Sequence, residues 1–548
     1  MKKTYFFLLS IFLFIYIIPL GVRPLMEPDE TRYGAIPREM LGSGDYIVPK
    51  LNGLRYFEKP VMGYWLIALS MKTFGENAFA VRFPSAAATF ISALTAFLLL
   101  RRFFSVNYAA VLAVLVFLTS FIVTGVGTFG VLDPTFSMFI ALSMTSFFFA
   151  CNAGKRTWKE RGWLASMGLF SGLAFLTKGF IAFAIPVVTI LPFLIWEKRW
   201  KELFRLAWIP ILSAVLVSLP WSIMIHLKEK DFWNYFFWHE HINRFISGNA
   251  QHKESFWYYL VLFPAAALPW TFVAPAAAKG FIKKHLENSL FRYSLCWFTF
   301  PFLFFSASSG KILTYILPCL IPFSIIFAIT LNNYFEKGNK KAFDTGAVLF
   351  GILIFSLVAG FILIQAFEII SFKPYSNIWK AILLCLGLLG FAFLLGISAR
   401  IQDWKKKISW FCIAPAFFMF CINFAIPDTV IDHKAPEELL NRNLSRVKPD
   451  SLLVSSNRSI KAASWYYKRS DIFQIESGGE LSYGLGYEDS KHRALTIEDL
   501  NRLIYAHAGI GKVIIICDME HYIDYKDKLP KPVFEDISGP RGYVFALY

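Results

Sequence analysis

A chain of 548 residues could hold several soluble domains, but 56% hydrophobic, 18% aromatic and 17% charged residues exclude that arrangement and put most of it in lipid. A net charge of +17 would suit a nucleic-acid binder if the cations shared one face. They fall instead in short clusters between apolar runs, which removes that class.

The first run, Tyr5 to Leu20, follows Lys2 and Lys3. Its end, Pro19 to Arg23, offers no small-x-small cleavage site, so it reads as an uncleaved span. The stretch 21–82 carries both charges and amphipathic patterning. Within it Glu30 to Leu41 predicts a short helix interrupted by Pro37. Pro60 to Phe74 predicts a second, stopped by Gly75, and both are expected to lie in the interface. Twelve further runs follow, giving roughly thirteen of near-spanning length: Ala86 to Leu100, Tyr108 to Val126, Leu132 to Ala150, Trp163 to Leu176, Phe180 to Trp196, Leu206 to Leu227, Phe256 to Val273, Ser289 to Phe305, Leu313 to Leu331, Ala347 to Phe367, Trp379 to Ser398 and Trp410 to Ile426.

Every second loop is basic, at Arg101-Arg102, 155–161, 198–205, 279–284, 337–341 and 400–407. Under the positive-inside rule these loops and the amino terminus are cytoplasmic, and the tail after Ile426 lies on the opposite side. The outer loop 228–255 is dense in His, Trp and Phe. Six of the seven cysteines lie in or beside apolar runs without paired spacing, which argues against disulfides and cysteine metal sites. From about Asp428 the composition changes to a soluble α/β pattern. Strands are expected at Ser451 to Ser455, Ile472 to Ile475, Val513 to Cys517 and Tyr543 to Leu547, with a helix at Thr496 to His507. That segment holds no nucleotide-binding glycine fingerprint and no nucleophile elbow, so no chemistry is assigned to it.

Ionisable residues assigned to the outer face carry the chemical signal. Asp29 and Glu30 stand in Glu27-Pro-Asp-Glu-Thr-Arg-Tyr33; Glu58 and Lys59 stand in Tyr56-Phe-Glu-Lys-Pro60; Asp133 opens a span at Leu132-Asp-Pro134. Lys178 sits in Thr177-Lys-Gly179, and Lys311 and Tyr315 begin another span. Each alone has a plainer reading: a lysine at a helix end is commonly a snorkelling anchor, Asp133 can cap a helix, and Asp29 can pair locally with Arg32. Their collection at one membrane face favours a site, because an ionisable group is expensive to leave unpaired in low dielectric. In Trp238-His-Glu-His-Ile-Asn-Arg-Phe245 the histidines lack the spacing of a zinc protease, while Arg244 offers a fork of donors suited to phosphate.

At Glu27 to Tyr33, Phe57 to Pro60 and Leu132 to Pro134 the sequence resembles the lipid A 4-amino-4-deoxy-L-arabinose transferases of Gram-negative bacteria. These belong to the wider GT-C class of polyprenyl-phosphate-dependent glycosyltransferases, which includes protein O-mannosyltransferases. The resemblance implies an α-helical polytopic membrane protein over 1–427, with periplasmic loops 21–82 and 228–255, and a periplasmic soluble α/β domain over 428–548. It also implies transfer of the aminosugar from undecaprenyl phosphate to a phosphate of lipid A at the inner membrane. Such a reaction lowers surface negative charge and confers resistance to polymyxin and cationic antimicrobial peptides.

By the same resemblance Asp29 and Asp133 are implicated in catalysis or acceptor handling. Arg32, Glu58, Lys59, Lys178, Arg244 and Tyr315 are implicated in lining the site, and Glu30, Tyr33, Tyr56 and Lys311 join them as substrate-binding candidates. Glu58 with His239 is the implied pair for a divalent ion such as zinc, with no cofactor expected to be essential. The expected partners are the two lipid-borne substrates and the bilayer, with no nucleic acid and a monomeric protein. One departure is Val61, where the family pattern has a second proline. Competing readings are a related transferase moving mannose or another aminosugar to protein or polysaccharide, and a lipid-linked-sugar transporter. The transporter is disfavoured because its polar groups belong near the bilayer midplane.

Overall fold

The structure, a computed structural model, describes residues 2–104, 107–243, 253–367, 374–476, 478–507 and 511–548. The chain divides into two units: Met1–Leu20, Arg82–Ile362 and Leu383–Ile422 form one, and Gly21–Val81, Leu363–Ile382 and Asn423–Tyr548 form the other.

All thirteen apolar runs have helical counterparts. Among the described residues nine helices are long and apolar enough to cross a membrane, or eleven if each of two bent pairs is one span. The remaining two runs are Trp158–Lys178, whose first turn carries Lys159, Glu160 and Arg161, and Ile181–Trp196, which is only 16 residues long. The bends have local causes. Tyr108–Leu118 and Phe121–Gly127 meet at 64° across Thr119-Ser120, whose hydroxyls donate back to the carbonyls of Leu115 and Val116. Tyr258–Ala266 and Trp270–Gly280 meet at 97° across Leu268-Pro269, where proline supplies no amide donor.

The two breaks repair each other. The Phe121 amide donates to the Leu268 carbonyl at 2.8 Å, and the Trp270 indole donates to the Thr119 hydroxyl at 3.1 Å. Irregular backbone at membrane depth persists where its polar groups find such partners inside the protein. Close helix contacts use small residues: a Cβ on Gly280 would lie 1.9 Å from the Thr330 carbonyl oxygen, while Asn333 donates to the Gly280 carbonyl at 2.6 Å. The buried Lys407 ammonium donates to the carbonyls of Ser398 and Ala399 and pairs with Asp344. All seven cysteines are free.

In the second unit the helix Asp29–Ser43 runs unbroken through Pro37, where an interruption was expected, and ends on Gly44 in a left-handed conformation. Packing along most of its length holds it, since ten of its residues are buried. The helix expected from Pro60 begins at Met62 and stops at Gly75. Between them β1 (Lys50–Leu51) and β2 (Leu54–Arg55) form a tight hairpin. Asn52 (φ 56°) and Gly53 (φ 71°) both take the positive φ that a type I′ turn needs.

The tail is a six-stranded sheet of β3 (Leu452–Ser455), β4 (Phe473–Ile475), β5 (Ala494–Leu495), β6 (Val513–Asp518), β7 (Phe534–Ile537) and β8 (Tyr543–Leu547), in the order β5-β4-β3-β6-β8-β7. The first four in that order are parallel and the last two antiparallel. Every residue of β6 is buried, as a central parallel strand requires. The helix Ile497–Ala506 packs Leu500 and Ile504 into the core with Val454, Val513, Ile515 and Val544, and Thr496 and Asp499 close a capping box at its start.

Candidate active site

Asp29 opens its helix three residues before Arg32, so both project from the first turn toward the same side. Arg32 donates to Asp29 and to the Tyr56 hydroxyl at 3.2 Å, and it meets the Glu480 carboxylate at 2.7 Å. Its guanidinium also lies 4.7 Å from the centre of the Tyr33 ring. Arg32 and Tyr56 are buried, whereas the Asp29 side chain is 44% exposed and open to a substrate. Among the described residues Arg32 Nε and the Tyr64 hydroxyl are buried without a hydrogen-bond partner, which leaves polar capacity beside the guanidinium.

The hairpin carries Tyr56 into this cluster and sets Glu58 and Lys59 just beyond it, half-buried, with the Lys59 ammonium donating to the Glu58 carbonyl at 2.8 Å. Glu30, on the same turn, faces the preceding loop. Fully buried, it accepts from both terminal nitrogens of Arg23 and from the Met26 amide, which ties the loop before the helix to the helix's first turn.

In the helical unit the Lys178 ammonium meets Asp133 at 2.8 Å, both side chains being about 15% exposed or less. Asp133 begins one helix and Lys178 ends another, and the ammonium faces the rings of Tyr315 at 5.3 Å and Phe136 at 5.8 Å. Lys311 does not join them. It is buried and donates to the carbonyls of Glu254 and Ser308, stapling two backbone segments. Arg244 and the side chain of His239 lie outside the described residues, so the Glu58–His239 metal pair is only half described. Among the described residues no group of three or more His, Cys, Asp or Glu could hold a metal ion.

Sequence reasoning missed Glu480, Lys461 and Glu27. Glu480 faces Arg32 and also Lys461 at 3.5 Å, and those cations hold its carboxyl below the usual range against the opposing pull of burial. Glu27 is buried, accepting from the Ala462 amide and the Tyr543 hydroxyl, each at 2.9 Å. Burial pushes its carboxyl up to about 7, opposed by Lys461, Tyr543, Ala462 and Arg458. Burial likewise raises Glu39 to about 7, although it accepts from the amides of Asn52 and Gly53. No spacing rule links such residues, since Glu27 and Tyr543 stand 516 positions apart.

A raised carboxyl contributes stability that is complete below its unfolded value of 4.5 and lost as pH climbs through about 7. Each of these two shifts is worth on the order of 3 kcal/mol. Glu480 works in the opposite sense, its contribution being lost as pH falls below 4.5. Thermal unfolding of Glu27→Gln in detergent should show a flatter pH dependence between 4.5 and about 7 and no loss of stability at about pH 8. The amide can still accept from Ala462 and donate to the Tyr543 oxygen.

Residues 1–236 match the Dolichyl-phosphate-mannose-protein mannosyltransferase family, and residues 431–545 match Arabinosyl transferase ArnT, C-terminal domain. The chain is 38% identical over 525 residues to the undecaprenyl phosphate-alpha-4-amino-4-deoxy-L-arabinose arabinosyl transferase of Shewanella sediminis, covering 95% of this chain and 94% of that one. Its counterpart in Erwinia tasmaniensis is 38% identical over 563 residues, covering 100% and 99%. Among solved structures, ArnT from Cupriavidus metallidurans bound to undecaprenyl phosphate superposes with a TM-score of 0.84 at 18% identity, covering 100% of this chain and 98% of that one. The oligosaccharyltransferase AglB from Archaeoglobus fulgidus gives a TM-score of 0.51 at 11% identity over 96% of this chain and 71% of that one. Identity of 38% along nearly the whole length of the first two relatives, on a shared GT-C fold, makes this chain a multi-span membrane glycosyltransferase belonging to the undecaprenyl phosphate-alpha-4-amino-4-deoxy-L-arabinose arabinosyl transferase family.

Proposed function

We propose that the protein transfers 4-amino-4-deoxy-L-arabinose from undecaprenyl phosphate to a phosphate of lipid A, at the periplasmic face of the bacterial inner membrane and as a monomer. The added amine lowers surface negative charge and thereby gives resistance to polymyxin and cationic antimicrobial peptides. The observation that carries this reading is the 38% identity to arabinosyl transferases along 95% of the chain.

The chemistry suits the residues. Breaking the bond from the anomeric carbon to the carrier phosphate puts positive charge on the sugar ring and negative charge on the departing phosphate. Arg32 and Lys59, with Arg244, are assigned to the phosphate, and the exposed carboxylate of Asp29 to the sugar side. A lipid A phosphate is already ionised near neutral pH, so Asp29 orients the aminosugar and acceptor more than it takes a proton. Attack opposite the leaving phosphate inverts the anomeric centre. Asp133, paired with Lys178 and flanked by Tyr315, has a supporting role in the same reaction. Glu58 and His239 are assigned as contacts for a divalent ion such as zinc, and activity after chelation tests whether that ion is needed.

The deciding experiment combines purified protein, undecaprenyl-phosphate aminoarabinose and lipid A, with the product read by mass. Asp29→Asn should lower the rate about 100-fold and Asp133→Ala about 10-fold. Full activity in either variant removes that residue from the reaction. The match of residues 1–236 to mannosyltransferases favours, as a second reading, transfer of mannose or another aminosugar to protein or polysaccharide. Mass analysis of lipid A and surface protein from cells with and without the chain separates the two. Labelling of single cysteines placed in 21–81 by a membrane-impermeant reagent tests the periplasmic placement.

A further inference from the structure

The parallel part of the sheet changes direction at β3, which lies between β4 on one side and β6 on the other. In doubly wound domains that crevice, outside the carboxyl ends of the strands, is where a ligand binds. Here the chain fills it with its own Glu27, whose carboxylate meets the Ala462 amide in the first turn of the helix Ile460–Tyr467 after β3, and the Tyr543 hydroxyl of β8. Lys461, on the same turn, is buried, and its charge acts on Glu27 from one side while its ammonium reaches Glu480 on the other. Glu480 in turn holds Arg32. From β3 outward acidic and basic side chains alternate: Glu27, Lys461, Glu480, Arg32, Asp29.

An arginine whose sole acidic partner stood three residues away on its own helix would close a two-pronged pair with it and neutralise it. A second carboxylate on the far side divides the guanidinium between them, leaving Asp29 partly engaged and exposed. Lys461, with Arg32, keeps that second carboxylate ionised in a half-buried place. The backbone fixes the reach of the chain. Glu480 follows Gly479, whose φ of 69° favours glycine and whose added Cβ would fall 1.9 Å from the Asn457 side chain. The helix Asp29–Ser43 is drawn against the helix Ile460–Tyr467 at Gly34, where a Cβ would lie 3.0 Å from the Trp465 ring. Arg38 of the first helix donates to the Ser464 carbonyl and hydroxyl of the second.

We propose that Glu480, Lys461 and Glu27 are positioning residues of the transferase, a chain of alternating acidic and basic side chains through which the carboxy-terminal domain fixes the guanidinium of Arg32 and keeps the Asp29 carboxylate available. This rests on the transferase reading given above and assigns the carboxy-terminal domain a part in it.

The test measures kcat and KM of the full-length protein with undecaprenyl-phosphate aminoarabinose and lipid A. Glu480→Gln should lower kcat about 30-fold with little change in donor KM, and Gly479→Ala, which displaces the turn without deleting a functional group, should give a loss of similar size. In an Arg32→Lys background the further loss from Glu480→Gln should shrink to less than about 3-fold, because the residue it acts through is already gone. Glu27→Gln keeps both of its hydrogen bonds, so the folded protein should unfold at no lower temperature than wild type yet lose kcat about 5-fold. Lys461→Met should lose more, and Lys461→Arg should restore most of it. Glu480→Gln at wild-type kcat, or with equal losses in both backgrounds, overturns the positioning role. Wild-type protein that yields no product overturns the transferase reading instead.

Discussion

Arg32→Ala is expected to lose at least about 1,000-fold in kcat/KM, roughly 4 kcal/mol of transition-state stabilisation. One side chain joins Asp29, Tyr56, Glu480 and the face of Tyr33, so its removal unmakes four relationships together. Glu480 keeps Lys461, and Asp29 loses the partner that orients it. A cation assigned to a departing phosphate acts most strongly as the charge develops, so the loss should fall mainly in kcat. Arg32→Lys should recover less than about a tenth of the activity, since an ammonium is a point charge and cannot span partners on two sides as a planar fork does. Steady-state kinetics on detergent-solubilised protein would decide it. An Arg32→Ala enzyme within about 10-fold of wild type would remove the guanidinium from the chemistry.

Gly280→Leu is expected to prevent accumulation of folded protein in the membrane. The neighbouring helix passes so close that even a methyl group would overlap the Thr330 carbonyl oxygen at 1.9 Å and crowd the Tyr334 Cβ at 2.8 Å. Those obstacles are backbone and the root of a side chain, neither of which can turn aside. Relief requires the helices Trp270–Gly280 and Leu317–Glu336 to separate, giving up the Asn333 bond to the Gly280 carbonyl. The cost should exceed about 4 kcal/mol, beyond ordinary overpacking of a core. Gly280→Ala should survive with a thermal unfolding temperature lower by several degrees, whereas a Gly280→Leu protein of normal yield and stability would show the contact to be dispensable.

Legibility in the sequence followed the range of the force involved. Apolar runs of spanning length became helices because lipid leaves the backbone no other way to satisfy itself. Strands β3, β4, β6 and β8 were found within about two residues, being apolar and buried; β5 has two residues and β7 is not fully buried, so neither gave a pattern to read. Pro37 misled because helix-breaking is a local tendency and the surrounding packing is not local. Asp29 with Arg32 was readable from a spacing of three on one helix. The two carbonyls that Lys311 donates to had no signal in the sequence around it. Glu480, Lys461 and Glu27 were invisible for a simpler reason: each is defined by what the fold brings opposite it, and an isolated Glu or Lys carries no record of its partner.

The second unit is assembled from stretches at nearly opposite ends of the chain, and this imposes an order of events on biosynthesis. Ribosomes deliver residues from the amino terminus onward, so the helix beginning at Asp29 emerges early and waits through every membrane insertion for Lys461, Glu480 and finally Tyr543. Until β8 is made, Glu27 lacks its hydroxyl donor. A nascent chain that has not reached β8 can already bring Ala462, Ser464 and Glu480 against the early helix, and the Tyr543 hydroxyl is the contact that locks Glu27 afterwards.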